Sequence, residues 1–150
     1  MTERIEAQEI TITRVLDAPL ELVWKAWTEP EQLARWWGPP GWTNLLETIT
    51  MEVRPGGRFR VTSISDADGS RMTSQGVYRE VVEPERLVLD EPAEGSWHDG
   101  AMSVVTFTDV GDGRTEIVLH STIRTTDEMR GTAEAGLAAS LDRLAEHLAH

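Results

Sequence analysis

The chain contains no cysteine. That excludes disulfides and Cys-ligated zinc, and it makes a reducing cytoplasm the expected compartment. No apolar run approaches the ~18–20 residues a membrane-spanning helix needs. The opening MTERIEAQEI has neither the basic start nor the apolar stretch of a signal peptide. Basic residues are scarce: 14 Lys and Arg stand against 26 Asp and Glu, a net charge of −12. A surface of that sign repels phosphate backbones and anionic headgroups, so neither nucleic acid nor a membrane is an expected partner. Ser/Gly-rich linkers, low-complexity tracts and solenoid-period repeats are missing too. One domain over residues 1–150, with a core from about 10 to 148, is the expectation. A domain of that length buries roughly 68–70% of its unfolded surface.

Phenylalanine and tyrosine are also few, two and one, yet there are six tryptophans. Five of them fall between Trp24 and Trp42. Each carries roughly 150–250 Å² of surface, so the cluster is either a core plug or the lip of a pocket for an apolar molecule.

The hydrophobic pattern reads as α+β. Gln8 to Val15 alternates apolar and polar residues with β-branched enrichment, which predicts a strand with one buried face. Pro19 opens a helix whose apolar face is Leu20, Val23, Trp24 and Trp27. Thr28-Glu29-Pro30-Glu31 reads as a capping box for a second short helix with Leu33, Trp36 and Trp37 inward, and Gly38-Pro39-Pro40-Gly41 stops it. Beyond Leu45 the chain is strand-rich, with Ile49, Met51 and Val53 alternating and turns at Pro55-Gly56-Gly57, Asp66-Ala67-Asp68-Gly69, Glu83-Pro84-Glu85 and Gly111-Asp112-Gly113. In the strand from Met72 to Val82, Gly76 with Tyr78 and Val77 with Val81 compete for the inward face. Leu87 to Asp90 runs back.

A long helix closes the chain, opened by Thr125-Thr126-Asp127-Glu128 as a second capping box. Its first half carries Gly131, Ala133, Ala135, Gly136, Ala138 and Ala139, and its second half most of the leucines. Laid across a curved antiparallel sheet, such a helix fills one end with leucine and leaves volume at the other. The alternative is that Gly and Ala only let helix and sheet approach closely, with no cavity.

The order of elements, together with the strings Val23-Trp24-Lys25-Ala26-Trp27-Thr28, Leu33-Ala34-Arg35-Trp36-Trp37-Gly38-Pro39, Val53-Arg54-Pro55-Gly56-Gly57-Arg58-Phe59, Gly76-Val77-Tyr78-Arg79-Glu80-Val81 and Pro84-Glu85-Arg86-Leu87-Val88, resembles the Hsp90-ATPase-activator C-terminal-domain-like family of the START/Bet v 1 superfamily. The resemblance runs from about Ile10 to Leu148. It implies a helix-grip fold: a curved antiparallel sheet of six to seven strands, two short helices, and a long C-terminal helix across the concave face. Many relatives carry an aromatic residue after the helix glycine, whereas here Leu137 follows Gly136. Function varies across the superfamily and has to be argued from the site.

The expected ligand walls are Trp36 and Trp37 at the mouth, Phe59, Val61, Met102, Val105, Phe107 and Ile117 from the strands, and Met129, Ala133 and Leu137 from the long helix. Apolar lining with a few polar groups is the usual make-up of a ligand pocket. Trp97-His98-Asp99 falls in a loop expected near the opening. His98, Asp99 or Tyr78 could serve proton transfer if the protein were an enzyme. His147 and His150 stand three apart, but a metal is not expected there, because histidines at a helix C-terminus usually face solvent and favour the dipole. Arg54 and Arg58 flank a turn in which Pro55 lacks an N–H, so no phosphate nest is expected; acids such as Glu52 and Glu80 are expected to hold that turn. The preferred expectation is a binding protein for a small hydrophobic or aromatic molecule, without cofactor. A cyclase- or hydrolase-like enzyme is the second reading. An Hsp90-type partner ranks last, since the eukaryotic activators use an additional domain. A long edge strand leaves a homodimer open.

Overall fold

The computed structural model describes residues 4–92 and 100–149. Trp97, His98, Asp99 and His150 lie outside the described residues. In chain order the elements are β1 (Glu6–Leu16), α1 (Leu20–Thr28), α2 (Pro30–Leu33), β2 (Trp42–Asn44), β3 (Thr50–Met51), β4 (Arg58–Ser65), β5 (Arg71–Val82), β6 (Arg86–Glu91), β7 (Ala101–Gly111), β8 (Arg114–Thr125) and α3 (Asp127–Leu148). All strands join one antiparallel sheet in the order β1-β8-β7-β6-β5-β4-β2, with β3 also on β4. The sheet curls around α3 in the helix-grip arrangement expected from the sequence.

The differences from the sequence reading are local. Only Thr50 and Met51 of the alternating Ile49–Val53 stretch join the ladder, and Trp42–Asn44 adds a strand that the pattern did not reveal. Thr28 does not cap α2. Its hydroxyl donates back to the Trp24 carbonyl at 2.8 Å, and Glu29 takes the cap position ahead of Pro30. Proline at the first helical position already has the right φ and leaves no N–H to satisfy there. At α3 the cap is Thr126, whose Oγ1 accepts from the Met129 N–H at 3.2 Å, so the expected box slips by one residue. Glu52 does hold the Pro-Gly-Gly turn, accepting the Arg58 N–H at 3.0 Å, but Glu80 pairs with Arg86 instead.

A bulge in β5 divides the rival faces: Gly76 and Tyr78 point inward before it and Val81 after it, while Val77 does not. Gly76 and Tyr78 are buried on the inner face. The register then shifts between Tyr78 and Glu80, so that Val81 stands opposite the buried Leu87. An extra residue in one strand reverses the side-chain parity beyond it.

The core divides in two. At one end Trp24 and Trp27 meet Phe107 edge-on, with ring centroids 5.4 and 5.9 Å apart, above Ile117 and beside Leu144, all of them buried. At the other end the inner face of the sheet changes character and α3 presents its small residues. The site lies there.

Candidate functional site

Ladder pairing puts specific residues side by side on the concave face. One row across the strands reads Tyr78, Leu89, Ser103, Ser121, Ile10. The next reads Phe59, Gly76, Ala101, Ile123, with Glu91 paired to Ala101 on β6. These rows are rich in small side chains where the other half of the sheet carries Phe107 and Ile117. Above them the first half of α3 offers Met129, Thr132, Ala133 and Gly136. Short side chains on both surfaces leave a cavity of about 530 Å³. Ligand pockets commonly fall in the range of about 300–1,000 Å³.

Tryptophans form the side wall. Trp27, Trp36, Trp37 and Trp42 all contribute. Trp36 and Trp37 divide the work as adjacent helical positions must, since neighbours point about 100° apart. Trp36 is 1% exposed, stacks edge-on against Trp27 at 4.7 Å and donates its indole N–H to the Ala26 carbonyl at 2.9 Å. Trp37 stays half-buried and leans on Phe59 at 5.1 Å. The indole N–H of Trp27, a residue only 5% exposed, finds no acceptor among the described residues.

The rim, Arg35 to Gly41, is pinned from three sides. Asn44 donates to the carbonyls of Ala34 and Trp37 at 3.0 and 2.9 Å, and its own Oδ1 accepts from Ser63 Oγ at 2.6 Å. The Gly38 N–H donates to Ser140 Oγ at 3.1 Å. Arg143 reaches from α3 to the carbonyls of Trp37, Gly38 and Pro39 at 3.2, 2.8 and 3.2 Å. A guanidinium here satisfies the orphan carbonyls left where α2 ends, with charge of the favourable sign. Gly38 and Gly41 take φ values of +81° and +94°, which glycine adopts without the Cβ clash.

Of the residues expected to line a pocket, Trp36, Trp37, Val105, Met129, Ala133 and Leu137 border this cavity. Phe59, Val61, Phe107 and Ile117 do not. They are buried inward residues, but Phe59 is screened by Trp37 and Tyr78, and Phe107 by Trp24 and Trp27. Met102 faces outward and is 43% exposed, because its neighbours Ala101 and Ser103 hold the inward parity. Tyr78 is buried away from the cavity, and desolvation pushes its phenol well above the usual range. Trp97, His98 and Asp99 lie outside the described residues. His147 meets Gln32 across the helices at 2.6 Å, and no group of three or more metal-binding side chains occurs among the described residues. No helix among them is long and apolar enough to cross a membrane.

Sequence reasoning missed the polar part of the wall: Ser63, Ser74, Ser103, Ser121, Gln75 and Glu91. Ser103 and Ser121 hydrogen-bond to each other at 2.8 Å. Glu91 is the one ionisable side chain among the described residues that line the cavity. Burial, and secondarily the adjacent Asp90, pushes its pKa up to about 7. Its position depends on Gly76, because a Cβ there would sit 2.7 Å from the Asp90 carbonyl oxygen and 3.2 Å from Glu91 Cγ. A single serine on the inward phase of each of β7 and β8, Ser103 and Ser121, was the available signal.

Solved structures share this architecture. A protein from Rhizobium leguminosarum is 24% identical with a TM-score of 0.80, covering 99% of this chain and 98% of its own. One from Chromobacterium violaceum is 23% identical with a TM-score of 0.79, covering 94% and 97%. The AHSA1 protein from Silicibacter pomeroyi is 19% identical with a TM-score of 0.81, covering 95% and 98%. At such identities the likeness speaks to the fold. No curated protein matches the chain. The family model described as "Activator of Hsp90 ATPase homolog 1-like protein" matches residues 17–149, nearly the whole chain, and the protein belongs to that family.

Proposed function

We propose that the protein binds a small hydrophobic or aromatic molecule in the cavity between α3 and the sheet. The observation that carries this reading is the roughly 530 Å³ hollow under the small-residue half of α3, walled by four tryptophans. Closing it would have required only larger side chains at Ala133, Gly136 or Ala101. Burying apolar ligand surface at about 25 cal/mol/Å² is the main source of affinity. The unpartnered indole N–H of Trp27 in the wall offers a donor to a ligand acceptor; a buried donor left unsatisfied costs about 1–3 kcal/mol. Within this reading no cofactor is required, and the absence of cysteine suits a reducing cytoplasm.

The family name points to a second reading, action on an Hsp90-type partner through the outer surface. Such a role needs no hollow, so the cavity favours the first. The test is a thermal-shift panel of flat apolar compounds on the wild type and on Ala133→Trp, which puts an indole into the cavity. A ligand at a hundred times its Kd stabilises by about 2.7 kcal/mol, a rise of roughly 5–10 °C for a chain of this length. Several compounds should raise Tm in the wild type and none in the variant. If no compound shifts the wild type, or the variant responds equally, the reading fails. Stimulation of an Hsp90 ATPase by both proteins alike supports the surface reading.

A further inference from the structure

Two hydroxyls face each other on the cavity wall, and only one of their two protons has an acceptor. Ser103 and Ser121 stand opposite each other on β7 and β8, with their oxygens 2.8 Å apart. Each hydroxyl carries one proton and two lone pairs. Whichever of the two donates, the bond uses one proton and leaves the other over. We propose that this pair is the polar subsite of the cavity, and that the ligand is an uncharged apolar molecule bearing one acceptor oxygen. A ketone, an ester or an ether has that chemistry, and its oxygen takes the proton left over. This rests on the ligand-binding reading above and adds the class of ligand and the point at which it is held.

Three observations support the assignment. First, neighbouring buried hydroxyls are satisfied within the protein. Ser63 donates to Asn44 Oδ1 at 2.6 Å, Thr115 to the Ala18 carbonyl at 2.8 Å and Ser140 to the Trp36 carbonyl at 3.4 Å. Ser103 and Ser121 have only each other among the described residues. Second, the inward neighbours of the pair are apolar and buried: Ala101 and Val105 on β7, Leu119 and Ile123 on β8. On such a surface a donor without an acceptor is unfavourable until something meets it. Third, there is room for the acceptor. Ser103 is half-buried and lines the cavity, and a Cβ built on Gly136, in the helix that closes it, would meet nothing within 4 Å.

The chemistry of the pair narrows the ligand further. An ammonium has no lone pair with which to take the proton. A carboxylate has lone pairs, but one neutral hydroxyl does not replace the water that an anion gives up on entering an apolar wall. A pure hydrocarbon leaves the proton unmet. A single uncharged oxygen fits both requirements. The indole N–H of Trp27 is also without an acceptor, but it belongs to a side chain only 5% exposed, whereas Ser103 is the more open group.

The test is titration calorimetry with two probes of one shape, 2-acetonaphthone and 2-isopropenylnaphthalene, in which a methylene stands in for the carbonyl oxygen. The affinity of the ketone relative to the hydrocarbon should fall about 5-fold from the wild type to the double variant Ser103→Ala/Ser121→Ala, the hydrocarbon binding at least as well as before. An unchanged ratio overturns the proposal and leaves the Trp27 indole as the donor. 2-Naphthoate should bind more weakly than the ketone, and equal or tighter binding refutes the uncharged class. An infrared measurement keeps the test open if the double variant folds poorly. The isotope-edited carbonyl stretch of the bound ketone should lie below its value in hexane and move back towards it in Ser103→Ala. A hexane-like stretch in the wild type, or no movement in the variant, overturns the subsite. If the hydrocarbon binds and the ketone does not, the subsite fails and the cavity reading stands. If neither binds, the subsite falls, and titration with N-phenyl-1-naphthylamine then decides whether the cavity reading falls with it.

Discussion

Replacing Glu91 with Gln should change how stability depends on pH, and the direction follows from the structure without any ligand. The carboxyl is desolvated in the cavity wall, beside Asp90, and its pKa stands near 7 against 4.5 for an ordinary glutamate. Across the ladder Gly76 and Ala101 bring no charge, and Asp90 itself is held by Arg79 at 2.9 Å. A group whose pKa is raised on folding keeps its proton longer in the folded state than in the unfolded one. Its contribution is therefore fully present below about pH 4.5 and is lost as pH rises through 7. At about 1.36 kcal/mol per pKa unit, complete conversion would be about 3 kcal/mol. Glu91 keeps some exposure to solvent, and water screens part of the penalty, leaving about 1–2 kcal/mol. Gln resembles the protonated acid in shape and carries no charge. The variant should then match the wild type at pH 4.5 and melt roughly 2–8 °C higher at pH 8. Thermal unfolding followed by circular dichroism every half pH unit measures the difference. Parallel curves for the two proteins between pH 4.5 and 8 would refute the account of a desolvated carboxyl in the wall.

Two further changes probe what holds the cavity open. Gly76→Ala places a methyl 2.7 Å from the Asp90 carbonyl oxygen, where backbone has to move. It should cost about 1–3 kcal/mol, read as a lower Tm, and an unchanged Tm would show that the β5–β6 bulge absorbs the methyl. Arg143→Met keeps the apolar stem but removes the guanidinium from the rim carbonyls of Arg35, Trp37, Gly38 and Pro39. A loss of about 1–3 kcal/mol should come with faster amide hydrogen exchange at residues 36–44. Exchange unaltered there would mean that Asn44 and Ser140 hold the rim without help.

The fold was legible in the sequence because its signals are long and mutually consistent. Eleven- and twelve-residue strands alternate visibly, prolines and glycines mark the turns, and the long helix declares its two halves by composition. The helix's small residues left two readings open, a hollow or a close approach of helix and sheet, and the structure shows the hollow beside Ala133 and Gly136. Legibility fell where parity was local. Met102 is followed by Ser-Val-Val, which puts one valine on each phase, so alternation alone gives no inward side. On β5 alternation alone could not decide, because the bulge at Arg79 hands the inward phase from Gly76 and Tyr78 to Val81 and leaves Val77 outside.

The polar wall was missed for a different reason, and it is the one that matters for function. Strand β6 reads Arg-Leu-Val-Leu-Asp-Glu, and Leu87, Val88 and Leu89 are all buried. A run without alternation looks finished once it meets acidic residues, so the strand expected from the sequence stops at Asp90. The ladder carries it one step further, opposite Ala101, with the inward phase that Leu89 already has. A carboxyl on that phase would be driven out of a packed core, where no room is left for its solvation. It is tolerated here because the sheet beneath it is bare at Gly76 and the helix above is bare at Ala133. The same missing side chains that leave room for a guest leave room for this charge. Hollow and carboxyl are therefore one feature of the sequence, and a variant that fills the first should also expel the second.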